Sequence, residues 1–204
     1  MLFEDTYLTI KEPSEGLYKD RGSKFLGFAF PISNEEEVKQ RLIEIKKLHP
    51  SATHHCYAYR LGADKLAFRA NDDGEPSNTA GKPILGQIQS NDLTNILLIV
   101  VRYFGGTLLG VGGLINAYKL AAADTIANSS IIEKTVNDVY EISFDYLQMN
   151  DIMKIIKDEE LKILGQNSEL KCLLTFSVRK NNSSTIYDRM NKIEGTEIKY
   201  LKTI

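Results

Sequence analysis

The chain has 204 residues, 43% hydrophobic and 25% charged, with a formal net charge of −2. Those proportions fit an ordinary globular protein of one large or two small domains. They exclude a global basic field for nucleic acid, leaving only a local patch, and the longest apolar run, residues 96–101, is far short of the ~20 residues that span a bilayer.

The N-terminal MLFEDTYLTIKEP carries acids early and no apolar core of signal length, so a soluble cytoplasmic protein is expected. Residues 7–11 alternate as a first strand, and 13–16 are predicted to turn. Residues 17–32 read as strand, interrupted by a turn or bulge at Asp20-Arg21-Gly22. Asn34 caps a helix, and Glu37 completes a capping-box-like pattern. Val38, Leu42, Ile45 and Leu48 form its apolar face, and Pro50 lies just beyond its end. The next strand, 53–61, puts His55, Tyr57 and Tyr59 on one face and His54, Cys56 and Ala58 on the other. Cys56 and Cys172 are far apart without CxxC spacing, and read as small buried residues in a reducing compartment. Residues 62–65 form a hairpin loop, 66–70 return, and a polar loop covers 71–78. Thr79 is predicted to cap a helix over about 80–89, with Lys82-Pro83 in its first turn.

The run 96–101, rich in β-branched residues, fits a strand buried on both faces. After Arg102 come Gly105, Gly106, Gly110, Gly112 and Gly113. Glycine weakens a helix interior by about 1 kcal/mol, so these read as a loop that admits close neighbours. A helix is expected from Leu114, with Ala117, Leu120, Ala121 and Ile126 on one face. Its free N–H groups suit an anion; with equal weight, the glycines only let it pack tightly on the sheet. The loop has no lysine and no GxGxxG spacing, so it is neither a P-loop nor a dinucleotide site. The first domain, 1–134, thus reads β-β-α-β-β-α-β-α, mixed α+β, and the polar stretch 133–138 reads as a linker. A second domain, 138–204, follows. It has strands at 139–146, 162–165, 170–179 and 196–201, and helices over 148–159 and after Ser183 or Ser184. Ile152, Ile155 and Ile156 point inward from one helix, and Ile186, Met190 and Ile193 from the other. That order, β-α-β-β-α-β, is the ferredoxin-like pattern.

Three constellations carry chemical potential. Asp72, Asp73 and Glu75 are candidate catalytic carboxylates, able to divide acid and base roles or to hold a hard cation. The favoured alternative is that they shape the loop and cap the next helix; EF-hand spacing is absent, and neither metal nor cofactor is expected. His54 and His55 face opposite ways and cannot chelate one metal from a regular strand, but one can face a site. No Ser-His-Asp or Cys-His set with Ser23, Ser77 or Cys56 can be assembled. The third is basic: Arg21, Lys24, Arg60, Arg69, Lys82, Arg102 and Lys119, with Tyr57, Tyr59, Tyr103 and Phe104 interleaved. Such a mixture suits stacked bases and phosphates, the bland alternative being core aromatics with solvated charges. The candidate binding set is Arg21, Lys24, His55, Lys82, Arg102, Gly105, Gly106, Gly110, Gly112, Gly113 and Lys119.

VVRYFGGTLLGVGGL at 100–114, with DDGEPSNTAGKPIL at 72–85, resembles the YigZ/IMPACT family, and with the flanking domain the resemblance covers nearly the whole chain. It implies an N-terminal domain like ribosomal protein S5 domain 2. It also implies a smaller ferredoxin-like domain similar to the last domain of the translocating elongation factor. The implied role is that of a cytoplasmic, translation-associated regulatory protein that binds RNA or ribosomal components through the glycine-loop surface. Eukaryotic IMPACT proteins restrain a starvation-activated kinase through a further N-terminal domain that has no counterpart in this sequence. The alternative is a hydrolase or transferase acting on a small phosphorylated or peptide substrate. Binding is favoured because no complete nucleophile–base set appears. Asn78 stands where the family pattern has glycine, and asparagine tolerates left-handed backbone. Asn116 stands where the pattern has arginine, which removes a positive charge beside the glycine loop.

Overall fold

The computed structural model describes residues 5–168 and 171–204. The chain divides into two compact units: Tyr7–Lys134, and Thr135–Ile204 together with the described residues Asp5 and Thr6. The architecture is mixed α+β. Among the described residues no helix is long and apolar enough to cross a membrane.

In the first unit, β1 (Thr6–Ile10) precedes β2 (Ser14–Asp20), β3 (Ser23–Pro31), α1 (Glu35–Leu48), β4 (His54–Leu61) and β5 (Ala67–Asn71). Then come α2 (Gly81–Ser90), β6 (Ile96–Tyr103), α3 (Gly110–Ala127) and β7 (Ile131–Thr135). Five strands form one antiparallel sheet in the order β2-β3-β6-β4-β5, and β1 pairs with β7. Central β6 is buried on both faces, as its unbroken apolar run requires. Ile96, Leu98 and Val100 join a core with α2 and α3, while Leu97, Ile99 and Val101 join one with α1. Period-2 alternation likewise sends Cys56 and Ala58 to the α2/α3 side and Tyr57 and Tyr59 to the α1 side.

Local chemistry sets the boundaries. The Asn34 side chain accepts the Glu37 N–H at 3.0 Å, and the Glu37 carboxylate accepts the Ser33 N–H at 2.9 Å, closing the capping box of α1. Val38 and Ile45 of its apolar face are buried, whereas Leu48 at its last position is exposed. The predicted turn at 13–16 is instead the start of β2. Tertiary contact overrides turn propensity there: the Ser14 hydroxyl donates to the Thr125 carbonyl of α3 at 3.1 Å. The reversal needs only Arg21 and Gly22, with φ of 44° and 80°, the two positive values of a type I′ hairpin.

The second unit contains β8 (Asn137–Phe144), α4 (Met149–Asp158), β9 (Lys162–Ser168), β10 (Cys172–Arg179), α5 (Ser183–Asn191) and β11 (Glu197–Thr203). Its strands form one antiparallel sheet, β11-β8-β10-β9. Tyr140, Ile142, Phe144, Leu174 and Phe176 make a core with Ile152 and Ile156 of α4 and Ile186 and Met190 of α5. Leu170, in the predicted strand 170–179, lies outside the described residues. The stretch 133–138 is strand rather than linker: it holds the end of β7 and the start of β8, with Val136 buried between them. Glu133, Lys134 and Thr135 are exposed, buried Asp138 accepts the Thr203 hydroxyl at 2.6 Å, and the backbone is paired: the Val136 N–H donates to Asp5 O at 2.6 Å, and its carbonyl accepts from Lys180 N at 3.0 Å.

Candidate binding cleft

Two loops of the first unit build the site. In the first, between β5 and α2, the Asp72 carboxylate accepts three backbone N–H groups, from Asn78 (2.8 Å), Ala80 (3.0 Å) and Gly81 (2.8 Å). Asp72 therefore shapes the loop and caps α2 across it, the favoured alternative for these carboxylates, whereas Thr79, the other expected cap, donates its hydroxyl to Pro76 O at 2.6 Å. Asn78 sits at φ 64°, in the left-handed region. Asp73 accepts the His55 N–H at 2.7 Å and lies 3.6 Å from Lys46 Nζ. These bonds offset the carboxylates' mutual repulsion without a metal. Among the described residues no three His, Cys, Asp or Glu side chains gather into a metal site.

In the second loop, after β6, Phe104 N–H donates to Thr53 Oγ1 at 3.3 Å and Gly105 N–H to Ser23 Oγ at 3.1 Å. A Cβ on Gly105 would lie 1.9 Å from the carbonyl carbon of Gly22, so only glycine fits against the β2–β3 turn. Gly110, Gly112 and Gly113 are not loop, contrary to expectation, because α3 begins at Gly110. First-turn N–H groups have no intrahelical partner, and the interior penalty on glycine is relaxed there. A Cβ at Gly110 or Gly112 would meet nothing within 4 Å, so tight packing does not explain these two.

The loops meet at a buried polar knot. Arg102 Nη1 donates to Glu75 Oε1 at 2.6 Å, with side-chain exposures of 6% and 3%. Tyr118 of α3, fully buried, donates its phenol to the same oxygen at 2.8 Å. Cys56 Sγ lies 3.0 Å from Asp72 O and 3.3 Å from the Tyr118 hydroxyl. Burial pushes both the Cys56 thiol and the Tyr118 phenol far above their usual ranges, which leaves neither as a ready nucleophile. The Arg102 guanidinium carbon stands 5.5 Å from the rings of both Phe25 and Phe104.

Above this knot opens a cleft of about 450 Å³, with Thr53, His54, Glu75 and Arg102 on its polar side and Phe104, Leu108, Leu109, Val111 and Leu114 around the rest. His54 Nδ1 is 2.8 Å from Asp73 O; a carbonyl only accepts, so Nδ1 carries the proton. Its Nε2 is 3.9 Å from Glu75 Oε1. His54 is thus the histidine of the cleft. His55, the one selected from sequence, faces the α1 side, where its Nε2 donates to His49 O at 3.1 Å and desolvation lowers its pKa. Of the other selected residues, Glu75, Arg102 and Gly110 line the cleft. Asp72 and Asp73 brace its loop from outside the lining. Arg21, Lys24, Lys82 and Lys119 are exposed and do not line it. Sequence reasoning missed Tyr118, Lys46 and Phe25. Tyr118 carried a signal, because a phenol on the apolar face of α3 requires a polar partner.

The Impact N-terminal domain matches residues 21–126, a span that holds more than half of the chain and every residue of the cleft and its knot. The chain belongs to the IMPACT family. The family member YvyE of Bacillus subtilis is 35% identical over 155 residues, 76% of this chain and 71% of that protein. YigZ of Escherichia coli is 31% identical over 172 residues, 83% of this chain and 84% of that protein. A crystal structure of a hypothetical protein matches with a TM-score of 0.75 at 26% identity, covering 97% of this chain and 98% of that one. The domain match lies wholly within the first unit, and the knot and cleft belong to the part that it defines.

Proposed function

We propose that this IMPACT family protein is a regulatory binding protein of the cytoplasm that acts on translation, engaging RNA or ribosome-associated components through the face that holds the cleft. One observation carries the reading: the carboxylates and the thiol that the sequence offers for catalysis are committed to structure. Asp72 is spent on three N–H groups, Glu75 on Arg102 and Tyr118, and Cys56 is a buried, protonated thiol. What remains is a concave surface with an apolar rim, which suits recognition. The exposed cations Arg21, Lys24, Lys82 and Lys119 of the same unit supply phosphate contacts. Family membership supports the link to translation. The same reading takes the first unit as like ribosomal protein S5 domain 2. It takes the second as ferredoxin-like, of the kind that ends the translocating elongation factor; the β11-β8-β10-β9 order supports the latter.

The test is co-sedimentation of the purified protein with ribosomes at low and physiological ionic strength. Association at low salt that falls steeply as salt rises is the expected result, because phosphate contacts release counterions. No association at either salt would remove the reading. A second reading, a hydrolase or transferase, rests on His54, whose Nε2 stands in the cleft 3.9 Å from Glu75. Turnover of small phosphorylated or peptide substrates that disappears in His54→Gln would put it ahead.

A further inference from the structure

Resting on the reading of this cleft as a binding site, we infer that its occupant is a peptide segment of a protein partner. The segment inserts a neutral apolar side chain, and its backbone carbonyl accepts a hydrogen bond from Arg102. Three observations select that chemistry.

The walls are apolar, and Phe104, Leu108 and Val111 stand 47%, 82% and 60% exposed beside the more buried Leu109 and Leu114. Several large apolar side chains exposed together mark a contact surface. The floor is close to neutral, because the Arg102 charge is already paired with Glu75. A phosphate or carboxylate taking that guanidinium would strand Glu75 as a buried charge, which is the costly way to break such a pair. Arg102 also keeps an unused donor. It borders the cleft, its side chain is 6% exposed, and its Nε has no acceptor among the described residues. A buried donor without an acceptor is unfavourable, and a peptide carbonyl satisfies it without adding charge. The half-exposed Phe104 ring lies 5.5 Å from the guanidinium carbon, at the edge where the carbonyl would enter. A volume of about 450 Å³ holds one large side chain with its flanking backbone.

The test titrates methyl-labelled protein with three probes: a blocked Gly-Gly-Leu-Gly-Gly peptide, its glutamate analogue and a uridylate decamer. The leucine peptide is expected to shift the Leu109, Val111 and Leu114 methyl signals saturably and to move the Arg102 Nε–H resonance downfield. Binding should be about tenfold weaker for the glutamate peptide and for the Leu108→Ser protein, since each removes apolar burial. Leu108 is 82% exposed, so its replacement leaves the fold intact, as thermal unfolding checks. Equal binding of the two peptides overturns the inference. So does uridylate that displaces the leucine peptide from the same methyls, or the absence of any shift at saturating peptide. Ribosome co-sedimentation separates this from the reading beneath it. Association unchanged by Leu108→Ser overturns the inference and leaves the translation reading standing. Peptide binding without ribosome association leaves the inference standing and removes the translation reading.

Discussion

Arg102 and Glu75 lie 27 positions apart, and each reads in the sequence as a separate asset: a cation for phosphate and a carboxylate for catalysis. The structure cancels one against the other. The acidic cluster singled out Glu75, the place beside the glycine loop singled out Arg102, and both line the cleft. Their mutual neutralisation was not legible, since which side chains of the two loops pair depends on packing that one sequence does not show. Tyr118 was illegible for the same reason: its helical face predicts burial, but nothing in one sequence names its partner. The pair makes a specific demand. Arg102→Ala would leave Glu75, with a side chain 3% exposed, without its cation, at a cost of about 3–5 kcal/mol. Arg102→Met combined with Glu75→Gln removes both charges and should recover much of that loss. Urea unfolding of the single and double variants measures both. A loss below about 1 kcal/mol for Arg102→Ala would mean that the arginine is not committed to Glu75, and would return it to the role of a free anion contact.

At the scale of elements, the chain was legible wherever one period dominated. The six-residue apolar run gave β6, and Asn34 with Glu37 gave the start of α1. The errors fall where packing decides. Ser14–Gly16 has turn composition but is held in β2 by α3, and the glycine-rich start of α3 has loop composition but is helix. The contact between α3 and the strands beneath it is unusually close. A Cβ at Gly27 of β3 would lie 1.9 Å from Thr125 Oγ1, which donates to Ala121 O at 2.7 Å. Gly27→Ala should therefore cost about 1–3 kcal/mol by overpacking. Thr125→Ala removes the clashing oxygen, so the double variant should be more stable than the sum of the single effects by about 1 kcal/mol. A double-mutant cycle by denaturant unfolding gives the coupling. Strict additivity would show that α3 shifts freely over Gly27, and that its seat on β2 and β3 is not what fixes the start of the cleft wall.

For the whole molecule, the sequence reading assumed that each domain is one continuous stretch. The chain does otherwise: Asp5 and Thr6 group with the C-terminal unit. No local pattern announces this, because the ties are single long-range bonds. Asp5 O accepts the Val136 N–H at 2.6 Å, and the buried Asp5 carboxylate takes two bonds from Arg179, from Nε at 2.5 Å and Nη2 at 2.8 Å. That forked geometry is the strong form of an ion pair, although the half-exposed Arg179 tempers it by screening. Asp5→Asn should cost the C-terminal unit roughly 1 kcal/mol and speed hydrogen exchange in β10. The pH dependence has a definite sign. The Arg179 hydrogen bond holds the Asp5 carboxyl below its ordinary value of 3.8. The ionised form is thus favoured in the folded state, and its contribution is complete above that value. It is lost as pH falls toward the lowered folded-state value, because the unfolded chain then carries a proton that folding must release. The wild type should therefore lose more stability than Asp5→Asn between about pH 5 and pH 2. Exchange in β10 at neutral pH and unfolding across that acid range read the two effects separately. If β10 exchanges at the same rate in both proteins, the N-terminal segment is not tied to the unit that follows Lys134, and the return of the chain carries no stability there.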